Sequence, residues 1–73
     1  MKRELAKPRV EVDPTGPRLS YEGRLVAAKE YGHWRLGDAH ISVIRVANEL
    51  CAVLPSRTTA VDLARAINER LGL

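Results

Sequence analysis

The chain has 73 residues, one cysteine and a formal net charge of +3 at neutral pH; 45% of its residues are apolar and 4% aromatic. This length allows one domain with a marginal core, and a lone cysteine excludes an intramolecular disulfide. No apolar run is long enough to span a membrane, and no apolar segment follows the charged first residues, so neither a membrane span nor a signal peptide is expected.

Residues 1–8 form a basic stretch that ends at Pro8. Lys2, Arg3, Lys7 and Arg9 oppose only Glu4, so the whole net charge lies in residues 1–9 and residues 10–73 are neutral. The composition predicts a flexible tail over 1–8 and a single small α+β domain over 9–73. A basic tail can hold phosphates without sequence choice, which makes Lys2, Arg3, Lys7 and Arg9 the candidate nucleic-acid contacts. The competing reading is an ordinary solvated terminus.

Four short strands are predicted next. Arg9-Val10-Glu11-Val12 alternates polar and apolar residues, as a half-buried strand does. Asp13-Pro14-Thr15-Gly16-Pro17 is a turn cluster. Arg18 to Tyr21 alternates again, and Glu22-Gly23 suits a two-residue hairpin loop. Arg24 to Tyr31 returns as the third strand. Gly32 breaks it, and His33 to Leu36 alternates as the fourth.

Residues 38–73 predict two helices. At 100° per residue, Val43, Ile44, Val46, Ala47, Leu50, Cys51, Val53 and Leu54 occupy about half of a helical wheel. Ser42, Arg45, Asn48, Glu49 and Ala52 fill the rest, and Ile41 alone breaks the partition. Asp38 is the predicted N-cap, and Pro55 ends the helix. An apolar arc wider than the usual surface stripe suggests burial between a sheet and a second helix, or between two subunits. On that ground a homodimer is expected. The β-branched run Ile41 to Val46 leaves an alternative, a β-hairpin over 40–54 turning at Ala47-Asn48-Glu49. The second helix is predicted from the capping-box spacing of Thr59 and Asp62. It places Leu63, Ala64, Ala66, Ile67 and Leu71 on one face, with Gly72 as its C′ residue.

Little in the chain points to catalysis. His33, His40, Cys51 and Asp38 lack the tight ligand spacing of a zinc site, and no glycine-rich phosphate loop or nucleophile elbow is present. Cys51 lies on the apolar arc, which suits a buried thiol in a reducing, cytoplasmic setting. No catalytic residue, metal or cofactor is therefore expected. Tyr31, His33, Trp34 and Arg35 have the residue types of a binding hot spot, which makes them the candidate partner contacts. Trp34 also suits a bulky core anchor, because the chain has no phenylalanine.

Residues 61–73 resemble the supporting helix of a helix-turn-helix module, and the chain stops before a recognition helix would begin. If residues 59–71 were themselves the reader, Asp62, Arg65, Asn68, Glu69 and Arg70 would form the exposed face. Two acidic groups among five make a poor phosphate-facing surface. The order of small strands, a strand ending in Trp34-Arg35-Leu36, a helix, a loop and a second helix is similar to the winged-helix-like leader-peptide recognition modules of peptide-natural-product biosynthesis. The similarity spans about residues 18–71 as pattern only, and that family usually adds a third helix. It implies peptide binding by strand addition to a sheet edge. The sequence thus favours a non-enzymatic protein- or peptide-interaction module, of the kind that serves as a small regulatory or inhibitory protein. The alternative is a nucleic-acid-binding accessory protein acting through the tail.

Overall fold

A computed structural model describes residues 8–73. Strands β1 (Glu11–Val12), β2 (Arg18–Tyr21), β3 (Arg24–Glu30) and β4 (His33–Leu36) precede helices α1 (Ile41–Val53) and α2 (Ala60–Leu71). The strands pair antiparallel in the order β1-β2-β3-β4. The protein is a small α+β domain, as the sequence predicts, and 41–53 is a helix rather than the alternative hairpin.

Local chemistry sets each turn. Asp13 accepts from the backbone N–H and the hydroxyl of Thr15 at 2.8 and 2.6 Å, and these bonds hold its carboxyl below the usual range. The β2–β3 loop places Glu22 and Gly23 at φ 54° and 76°. The β3–β4 loop repeats the pattern, with Tyr31 at 51° and Gly32 at 85°. Two positive φ values in a two-residue loop match the twist of the flanking strands. Tyr31 therefore belongs to the turn, and β3 ends at Glu30, one residue before the predicted boundary.

β3 carries a bulge. Leu19 faces Ala27 and Ser20 faces Leu25, so Val26 has no counterpart. The extra residue breaks the alternation. Val26 and Ala27, adjacent in sequence, are both fully buried.

The helices lie against this sheet. α1 starts at His40 rather than Asp38: the His40 imidazole accepts from the Ser42 backbone N–H at 3.3 Å. Ala39 is buried and takes up the chain between them. The Asp38 carboxylate instead meets Arg24 at 3.4 Å. The backbone N–H of Leu54 reaches the Leu50 carbonyl at 2.9 Å, and Pro55 prevents continuation. Thr59 caps α2 by accepting from the Asp62 N–H at 3.1 Å while donating to its carboxylate at 2.8 Å. Gly72 closes α2 at φ 71°, with its N–H on Glu69 and that of Leu73 on Asn68 at 3.2 and 2.9 Å. These two bonds form a Schellman motif.

The core joins both layers through Val10, Leu19, Val26, Ala27, Val43, Ala47, Leu63, Ala64 and Ile67. Ile44, Val46, Leu50, Cys51 and Leu54 pack against it while partly exposed. α1 touches β3 and β4 as well as α2. The chain's own sheet and second helix therefore cover the α1 arc, except for Val53, which is 76% exposed. No described helix is long and apolar enough to cross a membrane.

Candidate functional site

The two edges of the sheet end differently. Beside β1, the Asn68 side chain on α2 pairs with Val10 as a neighbouring strand would. Its Oδ1 accepts from the Val10 N–H at 2.8 Å, and its Nδ2 donates to the Val10 carbonyl at 3.1 Å. This polar side chain is only 5% exposed, and both of its functions are satisfied. Asn68 thus caps that edge from inside the fold, where the sequence placed it on an exposed face of α2.

The β4 edge has no such cap among the described residues. The register pairs Glu30 with His33, Lys29 with Trp34, Ala28 with Arg35 and Ala27 with Leu36. In a two-residue hairpin the residues flanking the loop exchange hydrogen bonds, and alternate pairs do so thereafter. The bond from the Gly37 N–H to the Val26 carbonyl at 2.8 Å keeps that phase. The Lys29 N–H agrees, turning away from β4 to the Pro17 carbonyl at 3.2 Å. Consequently the N–H and C=O of Trp34 and Leu36 point away from β3, along the open edge.

A cleft of mixed polarity adjoins the upper part of this edge. It measures about 260 Å³, and its walls include His33 and Trp34 from β4, Cys51 from α1, and Leu54, Pro55 and Ser56 from the loop that follows. Lys29 braces it. The Lys29 Nζ donates to the carbonyls of Ser56 and Thr58 at 2.6 and 2.9 Å. It also sits 5.3 Å from the centroid of the Trp34 ring. One cation therefore ties β3, the indole and the interhelical loop together, with an attraction to the ring face. Burial pushes the Cys51 thiol up. A thiol disfavoured as thiolate is a poor nucleophile at neutral pH.

Of Tyr31, His33, Trp34 and Arg35, the cleft brings together His33 and Trp34, while Tyr31 and Arg35 lie outside its lining. Tyr31 stands at the tip of the turn, 98% exposed. Trp34 packs partly on the core and lines the cleft, so it serves both of the roles read for it. Strand alternation turns the side chain of Arg35 to the other face of the sheet. There Arg35 Nη1 donates to the Glu30 carboxylate at 2.9 Å. Of the tail residues, Lys2, Arg3 and Lys7 lie outside the described residues, and Arg9 is exposed. The basic groups of α2 face acids within the chain: Arg65 lies 3.9 Å from Asp62, and Arg70 lies 3.0 Å from Glu49. Among the described residues no three His, Cys, Asp or Glu side chains converge as metal ligands would.

Sequence reasoning missed Lys29, Asn68 and Leu36. Two of them left a trace. Asn68 lies four residues after Ala64, inside the apolar stripe of α2, and a polar residue there needs a partner. Lys29 lies two residues after Ala27, on the face of β3 that meets the helices.

Comparison with protein-family models, with curated proteins and with solved structures finds no match for this chain.

Proposed function

We propose that this protein is a non-enzymatic interaction module that takes an extended segment of another polypeptide as a fifth strand on β4. The observation that carries the reading is the outward-directed backbone of Trp34 and Leu36 beside the cleft that Trp34 lines. Strand addition draws affinity from main-chain hydrogen bonds and selectivity from pockets for alternate side chains. Both parts are adjacent here. Asn68 covers the β1 side at Val10, and β4, four residues against two in β1, offers the longer edge on which the sheet can grow.

The test uses the full chain and a Leu36→Pro variant. Proline lacks the N–H that an added strand would use, and it is tolerated on an edge whose N–H faces solvent. Partners captured from the native host are titrated against both proteins, after circular dichroism shows that the variant is folded. The reading expects slowed hydrogen exchange at the Trp34 and Leu36 amides in the wild-type complex, and weakened binding by the variant. Partners that leave both amides exchanging freely, or that bind the folded variant equally well, refute it.

A further inference from the structure

We infer that the segment received by β4 alternates apolar residues with an acidic one, the acidic side chain lying beside Arg35. This inference rests on strand addition at β4 and names the chemistry of the ligand.

A second copy of the chain is a poor occupant. Two-fold pairing of β4 with itself lets both Trp34 and Leu36 bond across the edge only when Trp34 faces the other copy's Leu36. That register sets Arg35 directly opposite Arg35, in a non-hydrogen-bonded pair, where side chains approach most closely. Like charges so placed are destabilising. A heterologous strand with a carboxylate at that position converts the repulsion into attraction.

The alternation follows from the pleat. Side chains flanking Trp34 and Leu36 in an added strand point to the helical face, as those two residues do. The cleft of about 260 Å³ has room there for a branched aliphatic side chain against Trp34, Cys51 and Leu54. The intervening residue of the added strand emerges on the opposite face, beside Arg35.

Charge makes the choice at that middle position. The Arg35 side chain is 72% exposed, and its contact with Glu30 engages Nη1. A guanidinium carries five N–H donors, so others remain to meet a carboxylate. Of the nearby acids, Glu30 meets Arg35 itself and Asp38 is held by Arg24. Arg57, next to the cleft residue Ser56, has no acidic partner among the described residues. A carboxylate on the added strand would therefore share the Arg35 guanidinium with Glu30, through donors other than Nη1.

The experiment selects from a displayed library of random nine-residue peptides with the full-length protein as bait. Emission from Trp34, the sole tryptophan, follows the titration of each selected peptide. The expected pool carries apolar residues at positions i and i+2 with Asp or Glu between them. Replacing that acid by Lys weakens binding on the order of tenfold, since an attractive cross-strand pair becomes a repulsive one. Arg35→Glu reverses the preference. Selected peptides that protect the Trp34 and Leu36 amides but tolerate Lys at the middle position overturn the acidic requirement and leave strand addition standing. A pool that leaves those amides unprotected, or no enrichment at all, overturns both.

Discussion

At the scale of single residues, Asn68 shows how one polar side chain can end a sheet. Its amide reproduces both hydrogen bonds of a strand partner and leaves no buried polar atom on Val10 unmet. Removing it orphans a buried donor and a buried acceptor, each worth about 1–3 kcal/mol when left unpaired. Asn68→Ala is therefore expected to destabilise the fold by about 2–4 kcal/mol in urea unfolding. Asn68→Asp retains an acceptor for the Val10 N–H but sets a carboxylate against the Val10 carbonyl, so it should not restore stability. Cys51 provides a second test. Its folded-state pKa is raised by burial, so above the ordinary thiol value the unfolded chain holds fewer protons than the native one. Stability should then fall as pH rises past about 8.5. Cys51→Ser should remove that part of the alkaline slope, as followed by urea midpoints across the pH range. An unchanged slope would show that the thiol is not desolvated.

At the scale of elements, the β3–β4 turn combines strain with exposure. Tyr31 occupies a left-handed position where Asn or Gly is the favoured residue, and its ring makes almost no use of the fold. Tyr31→Asn is expected to raise stability by about 0.5–1 kcal/mol. If the exposed ring meets the partner of β4, the same change weakens binding, so stability and affinity move in opposite directions. A loss of stability in thermal unfolding would contradict this account of the turn. α1 has its own periodicity. Val43 and Ala47 are buried at its centre, with Leu50 partly buried beside them. Val43→Asp should prevent folding, because an unpaired buried carboxylate exceeds the stability of a small domain, whereas Leu50→Asp, at a partly exposed position, should destabilise less. Glu49→Ala removes only a half-exposed pair with Arg70 and should cost at most about 1 kcal/mol. A substitution scan over 41–54 should show sensitivity repeating near 3.6 residues.

At the scale of the whole molecule, the wide arc of α1 does not call for a second subunit. The sheet covers one side and α2 the other, and Val53 is the only residue of the arc left exposed. With Arg35 opposing itself in edge pairing, the isolated chain is expected to be a monomer at high micromolar concentration by light scattering. A dimer would return the α1 surface to consideration. Nucleic-acid binding through the tail would draw on the charge of residues 1–9, which carry the whole net charge of the chain. Such binding should collapse steeply with added salt and differ little between sequences. Binding that survives 200 mM salt with a defined sequence preference would instead point to a base-reading surface on the folded body.

The elements themselves were legible in the sequence because each is specified by neighbours a few residues apart. Glu22-Gly23 encodes a hairpin, Thr59 with Asp62 encodes a helix start, and Gly72 encodes a helix end; Gly32 marked the β3–β4 break, while Tyr31 read as strand and stands in the turn. The half-wheel of α1 outweighed its β-branched residues because apolar faces are set by burial, and propensity is the weaker term. The tertiary structure alone decided what lies far apart in sequence. Asn68 and Val10 are 58 residues apart, and Lys29 reaches carbonyls 27 and 29 residues away. α1 is capped by His40 rather than Asp38, whose carboxylate instead meets Arg24 on another strand. The bulge at Val26, the capped β1 edge and the open β4 edge are likewise properties of strand pairing. Residue type and spacing specify local backbone geometry, but which edge stays open depends on which distant side chain arrives to close it.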